Sequence, residues 1–506
     1  MLEKVIGCAL FGLEGLNVDV EVNVSRGAKF LLVGLPDNAV KESHYRISAA
    51  LNNIGFKIPV KEIIINLAPA DVKKEGSAYD LPIALGILSA SNQVQLNNLN
   101  LFMVMGELSL DGKIKPIKGV LSMALKAKEM GLKGIVVPKG NVSEAVLVKG
   151  IEVIGVSSLK QVLAHFSTGP YLKPAKYRKV LNEENNDLDF SDVVGQQIAK
   201  RAIEIAASGG HNVLMIGPPG SGKSMLAKRI PSVLPLLSEK EKLETTRIYS
   251  FLGKSSHCQR LINQAPFRSP HHTISDVALV GGGANLHPGE ISMANNGVLF
   301  LDELPEFKRR VLEVLRQPLE DREVTISRAR GSVTYPSNIM LVAAMNPTPR
   351  GCFFEDYQNK DSHNSVRKYL AKLSQPLLDR IDLQIEVDAV PIDQFDQFHD
   401  TNFEEKSDTI RRRVLAARKV QLKRQGKTNV QLSSSELQQY CKLDTESVGF
   451  IKMVSKKLNI SARSYTRIQK VSRTIADLDN SEKILLRHVK ESIQYRSLEK
   501  MSPFFN

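Results

Sequence analysis

The chain has 506 residues, too many for one hydrophobic core, so two or three domains are expected. Its 42% hydrophobic and 24% charged residues are those of an ordinary globular protein, and its apolar runs fall far short of the roughly 20 residues that cross a bilayer. A formal net charge of +14 leaves two readings, plain solubility or a polyanionic partner whose phosphates release counterions on meeting clustered Lys and Arg.

The N-terminal stretch MLEKVIGCALFGLEGL carries one lysine, two glutamates and no small-residue cleavage site, which argues against a signal peptide. Cys8, Cys258, Cys352 and Cys441 are scattered without CxxC spacing, so neither a disulfide framework nor a local zinc site is suggested. A cytoplasmic protein with no membrane attachment is expected. Residues 1–168 alternate short apolar runs with helical spacing. Strands are predicted at 30–33 and 63–67, and helices at 40–54 and 81–91, an α+β pattern. Residues 169–188 are rich in charge, Pro and Asn and lack apolar periodicity, which marks a linker. A second α/β segment covers residues 189–395, and residues 405–500 read as helices throughout. No internal repeat is evident.

The second segment carries the chemistry. GPPGSGKS at residues 217–224 follows a short apolar strand, 212–216, and opens a helix at Met225. Gly217, Pro218, Pro219, Gly220, Ser221 and Gly222 form the phosphate loop, whose glycines let backbone N–H groups turn around a phosphate at a helix N-terminus; Lys223 reaches the β- and γ-phosphates and Ser224 ligates Mg²⁺. A predicted strand at 298–301 ends in Asp302 and Glu303, suited to hold the Mg²⁺ shell and to polarise an attacking water. A third, 339–345, ends in Asn346, whose amide can bond that water or the γ-phosphate; a turn before Pro347 is the plainer alternative. ATP and Mg²⁺ are the expected cofactors.

This arrangement resembles AAA+ ATPases, more specifically the magnesium-chelatase-like YifB/ComM family, over nearly the whole chain. The resemblance rests on DFSDVVGQQIAKRA (189–202), PFRSPHHTISDVALVGGG (266–283), PGEISMANNGVLFLDELPEF (288–307), LEVLRQPLEDREVTISRA (312–329), QPLLDRIDL (375–383) and SARSYTRIQKVSRTIADL (461–478). It implies an α/β multidomain chain: a Lon-protease-like α+β domain (1–168), a linker (169–188), an AAA+ P-loop core with a helix-2 insert and a pre-sensor hairpin (189–395), and a helical lid (405–500). It further implies an adenine seat at Val193, Val194 and Gly195, an arginine finger acting in trans at Arg380, and a second sensor at Arg463, with Arg467 the alternative. A hexameric ring of identical subunits is expected.

Within residues 1–168, PADVKKEGSAYDLPIAL (69–85) and GELSLDGKIKPIKGVLSMALKAKEMG (106–131) resemble the stretches that hold the serine and lysine of Lon proteases. The serine position falls on Ala78 and the lysine position on Leu121, which can neither attack a carbonyl nor accept a proton. Ser77, Lys118 and Ser122 flank those positions. Peptidase activity is therefore not expected.

Three segments are candidates for contact with DNA. Arg328 and Arg330 sit at the turn of a predicted hairpin, 324–335. Arg268 lies in the segment that ends in the glycines 281–283; its neighbours His271 and His272 diverge as adjacent residues and do not suggest a metal site. Residues 411–427, RRRVLAARKVQLKRQGK, form a basic helix with apolar positions Val414, Leu415, Val420 and Leu422. The family's cysteine-bearing finger after the Asn-Pro is reduced to Cys352 and His363, too few for a closed zinc site. The resemblance thus implies an ATP-driven, sequence-independent DNA translocase promoting branch migration in recombination and in natural transformation. A metal-chelatase motor, an ATP-dependent protease and a protein remodeller are the alternatives.

Overall fold

The computed structural model describes residues 1–169, 171–177, 188–254, 261–283, 286–328, 331–348, 366–389, 404–458 and 461–496. The chain divides into two units, residues 1–182 with 239–262, and residues 183–238 with 263–506. The second crossing was not read from the sequence. The chain leaves the second unit after Ser238 and returns at Asn263, and Leu237 N–H donates to the Asn263 carbonyl at 3.0 Å, closing the neck of the excursion.

The first unit is built on a seven-stranded mixed sheet, in the spatial order Phe30–Val33, Glu62–Ala68, Glu14–Ser25, Leu2–Phe11, Phe102–Val104, Gly134–Pro138 and Glu152–Val156. Its first two strands form an antiparallel pair with Leu2 opposite Asn23 and Phe11 opposite Glu14. Along Glu14–Ser25 the alternate residues Val18, Val20, Val22 and Val24 are buried, as a strand with one face on a core requires. The helix Asp80–Ala90 lies over this sheet and is buried on every side except at Ser89. The helix predicted at 40–54 is split at Glu42 into Asn38–Lys41 and Ser43–Asn53.

The helix Glu239–Phe251 belongs to this first unit. Leu243 packs on its core, Arg247 reaches Glu14 at 2.9 Å and the Ser122 hydroxyl at 3.0 Å, and Ser250 donates to the buried Glu144.

The second unit holds a five-stranded sheet, every adjacent pair parallel, in the order Phe267–Arg268, Val298–Leu301, Met340–Met345, Val213–Ile216 and Leu383–Glu386. The three central strands are wholly buried, which is why they read as unbroken apolar runs rather than alternations. The C-terminal segment forms the helices Ser407–Gln425, Ser434–Tyr440, Thr445–Leu458, Ala462–Leu478 and Leu486–Gln494. No helix among the described residues is long and apolar enough to cross a membrane.

Candidate functional site

The three central strands end side by side, with Ile216 opposite Met345 and Leu301 opposite Ala343. Whatever follows each strand is therefore delivered to one edge of the sheet, and Gly217, Asn346 and Asp302 follow them. Gly217 passes so close to the neighbouring strand that an added Cβ would lie 2.0 Å from the Val387 carbonyl oxygen. No other residue fits there. Gly222 adopts φ +88° as the residue that turns the loop into the helix Lys223–Val233.

Lys223 is buried, and its Nζ donates to the carbonyls of Gly217 and Pro218, both at 2.7 Å, and lies 3.5 Å from Asn346 Oδ1. Burial lowers its pKa from the usual lysine value, with Asp302 opposing. Ser224 Oγ donates to Asp302 Oδ2 at 2.6 Å, so a hydroxyl and a carboxylate already converge where a Mg²⁺ ion bridging loop and strand would need both. A loop that needs glycine at Gly217 for space and at Gly222 for its backbone, a lysine at the start of the following helix and this hard-oxygen pair fit a Mg²⁺-bound nucleotide.

Glu303 is half-exposed and takes a left-handed backbone conformation, φ +52°, uncommon for a residue with a side chain. Its Oε2 lies 3.4 Å from His272 Nδ1. This partnership is long-range and has no local signature; strand Phe267–Arg268, beside Val298–Leu301, carries His272 to that position. Val193 is buried, Val194 and Gly195 are partly buried, and the next residue, Gln196, donates to the Ser221 carbonyl at 3.3 Å and to that of Asp388 at 2.6 Å. The segment expected to seat adenine is thus tied to the phosphate loop. Met225 is exposed at the start of the loop helix.

Arg380 and Arg463 lie at the other edge. Leu383 pairs with Val213 at the start of two parallel strands, so residues just before 383 sit a strand length, on the order of 13 Å, from the phosphate-loop edge. Arg380 is only 8% exposed, donates to the Pro376 carbonyl at 2.5 Å and pairs with Glu320 at 2.5 Å. Arg463 is exposed and lies 4.0 Å from Asp379. Arg467 bonds the fully buried Asp382 at 2.5 Å, a structural tie. Burial alone would raise the Asp382 pKa, but Arg467 and His211, the latter 3.6 Å away, hold it well below the usual carboxylate range.

The basic segments separate on inspection. Arg328 is exposed at the end of the hairpin Glu323–Arg328 and Gly331–Pro336; Arg330 lies outside the described residues. The hairpin meets the insert, since Tyr335 donates to the Leu286 carbonyl at 2.6 Å and a Cβ on Gly282 would lie 3.7 Å from the Arg328 guanidinium. Arg268 differs from expectation: its Nε and Nη2 donate to the Glu290 carboxylate, at 2.6 and 2.8 Å, and the pair is partly buried. The basic helix also differs. Its buried stripe is Ile410, Val414, Ala417 and Gln421, leaving Leu415, Val420 and Leu422 exposed. Arg413 pairs with Glu204 and Glu405, Arg418 with the Ala207 carbonyl and Arg424 with Asp477, so these arginines brace the fold. Cys352 and His363 lie outside the described residues, and no group of three potential metal ligands occurs among the described ones.

In the first unit, the residues around the stretches that resemble Lon proteases bond one another. Leu121 is fully buried and its N–H donates to Glu144 at 2.7 Å. Burial raises the Glu144 pKa, while Ser250, Leu121 and Asn141 bond the carboxylate and oppose it. Ser77 donates to Glu107, and Ser122 to the Leu13 carbonyl at 2.6 Å. Lys118 is exposed, with its alkyl chain against Gly253.

The chain is similar to known proteins over most of its length. Three family models match: "Subunit ChlI of Mg-chelatase" over residues 20–141, "Magnesium chelatase, subunit ChlI" over residues 189–395, and "Magnesium chelatase, subunit ChlI C-terminal" over residues 404–496. The chain is 43% identical to the uncharacterized protein YifB of Escherichia coli over 494 residues, 97% of this chain and 96% of that protein. It is 43% identical to the competence protein ComM of Haemophilus influenzae over 499 residues, 97% of each. A shorter stretch, 147 residues or 29% of this chain, is 30% identical to 26% of Lon protease 2 of Bacillus subtilis.

Proposed function

The chain belongs to the YifB/ComM family of magnesium-chelatase-like AAA+ ATPases, and from that premise we propose that it is an ATP-driven, ring-forming DNA translocase that promotes branch migration during recombination. The competence name carried by the Haemophilus relative extends the proposal to DNA taken up in natural transformation. The observation that carries it is the convergence of Lys223, Ser224, Asp302 and Asn346 at one sheet edge while Arg380 and Arg463 stand at the other. A chain so arranged cannot bring its own arginines to its own phosphates without large rearrangement. Two copies can complete one site.

In this mechanism the backbone N–H groups of Gly220, Ser221 and Gly222 together with Lys223 bind the triphosphate, and Ser224 and Asp302 would hold Mg²⁺. When bound, Mg²⁺-ATP supplies the phosphoanhydride whose hydrolysis drives the cycle. Glu303, oriented by His272, polarises the attacking water, and Asn346 fixes its position or the γ-phosphate. Arg380 of one subunit exchanges Glu320 for the neighbour's phosphate, placing a fixed cation against the charge that develops in the transition state. Arg463 acts beside it. Arg328, on a hairpin packed against the glycine-bearing insert, is the residue that grips the DNA backbone, with Arg330 two residues further along the sequence. Arg268 has no part in that grip, because Glu290 already neutralises it.

The test is the ATPase rate with and without single-stranded, forked and four-way-junction DNA. Stimulation by DNA is expected, weakening steeply with salt. Arg380→Ala should be inactive alone and partly active when mixed with Lys223→Ala subunits, which keep the finger. Full activity of Arg380→Ala alone would overturn the trans arrangement, and salt-insensitive or absent DNA binding would overturn the translocase.

A further inference from the structure

At the strand-start edge of the parallel sheet, away from the phosphate loop, lies a cavity of about 390 Å³. Arg322, Arg467 and Lys470 line it together with Glu320 and the apolar side chains of Leu319 and Ile339. Its volume falls within the range of about 300–1,000 Å³ typical of small-molecule sites.

The charges around it do not balance. Arg467 is matched by Asp382 at 2.5 Å, and Glu320 is matched by Arg380 at 2.5 Å. Arg322 donates only to the Asn338 side-chain oxygen, and Lys470 only to the Val430 carbonyl at 2.8 Å. Among the described residues neither has a carboxylate within ion-pair distance. Two partly buried cations thus face one cavity without counter-charge, which costs free energy until an anion enters. Burial pulls Lys470 down to about 8 and Arg322 to about 10; Asp382 opposes this, and repulsion from Arg467 adds to it.

We propose that this cavity is a second anion site, distinct from the phosphate loop, that takes a phosphate-bearing small molecule of up to nucleotide size. Arg322 and Lys470 hold the phosphate, and the wall of Leu319 and Ile339 takes the organic part. The proposal does not depend on the ATPase reading, so the test removes the phosphate loop from play.

The full chain carrying Lys223→Ala is titrated calorimetrically with AMP and, separately, with pyrophosphate. Saturable binding of about one equivalent is expected for at least one of them. Tighter AMP assigns a nucleotide-like ligand; equal or tighter pyrophosphate assigns a free anion. Adding Lys470→Met should weaken binding about tenfold or more, the loss of one charge-assisted bond, while Lys470→Arg should keep it within about threefold. Arg322→Gln provides an independent route to the same loss, and calorimetric melting identifies any variant that is not folded. No saturable binding of either probe overturns the proposal. So does unchanged affinity in folded Lys470→Met, or a Lys470-dependent self-association without ligand binding, which would assign the cavity to an acidic side chain of a second copy.

Discussion

The phosphate-loop edge of the second unit and the region of the first that resembles Lon proteases have opposite chemistry. At the former, Lys223, Ser224, Asp302 and Glu303 are polar groups held close enough to share one ligand. At the latter, Ala78 and the buried Leu121 are the residues that the resemblance to Lon proteases sets against the serine and lysine, and the polar groups nearby bond one another: Glu144 with Ser250 and Asn141, Ser122 with Arg247. A fold can keep the scaffold of a catalytic centre and convert its interior into packing and hydrogen bonds. The second unit shows what is retained when the chemistry is kept: glycines where the backbone must approach, and side chains whose burial is not matched by permanent counter-charges.

The sharpest way to break this contrast is Lys223→Ala, which should lower ATP hydrolysis by roughly 10²–10³-fold, read by phosphate release. Survival of activity would remove the distinction between the two regions. Next comes a pair of buried carboxylates that behave oppositely. Asp382→Asn leaves Arg467 uncompensated and should destabilise the second unit by about 3–5 kcal/mol. Its depressed pKa also means that the Asp382 contribution is complete above its unfolded value of about 4 and lost as pH falls through and below that value, so the variant should show a flatter acid limb in calorimetric melting.

Asp80 bonds Arg46 through both oxygens, yet burial outweighs the arginine and raises its pKa to about 6. The folded first unit therefore binds more protons than the unfolded chain between pH of about 4 and 6. Stability from this group rises as pH falls through that window, by at most about 3 kcal/mol, and Asp80→Asn should abolish the rise. Arg46, whose own pKa is raised first of all by the bond to Asp80, keeps the pair charged at neutral pH.

A smaller effect is expected of His272→Ala. Freed from its partner, Glu303 should orient water less well, lowering kcat about tenfold with little change in the KM for ATP. Smallest of all, Ser77→Ala should leave ATP hydrolysis unchanged, and casein should stay intact with either form, since the Ser77 hydroxyl bonds Glu107. Casein degradation abolished by that substitution would restore the protease reading.

Most of the phosphate-loop edge was legible in the sequence because its parts are local. Each strand is a run of apolar residues buried on both faces, and each functional side chain is the next residue or two along. What the sequence hid was long-range. His272 and Glu303 meet only because two strands are neighbours, and nothing in a basic helix reveals that Arg413, Arg418 and Arg424 find acceptors in other segments. One further pattern is local: the valines at every second position from 18 to 24 announce the strand Glu14–Ser25. The helix Glu239–Phe251 has a different lesson, since amphipathicity tells that a face will be covered but never by which part of the chain.

That helix also limits how the molecule can be cut. A shortened gene beginning at residue 189 would still encode residues 239–262, but without Glu14, Ser122 and Glu144 to receive Arg247 and Ser250, and with Leu243 turned toward water. The reciprocal fragment, residues 1–182, would fold around an empty seat. The two halves therefore cannot be traded between proteins as cassettes at a single junction, and change in one constrains change in the other through a loop encoded far from either end.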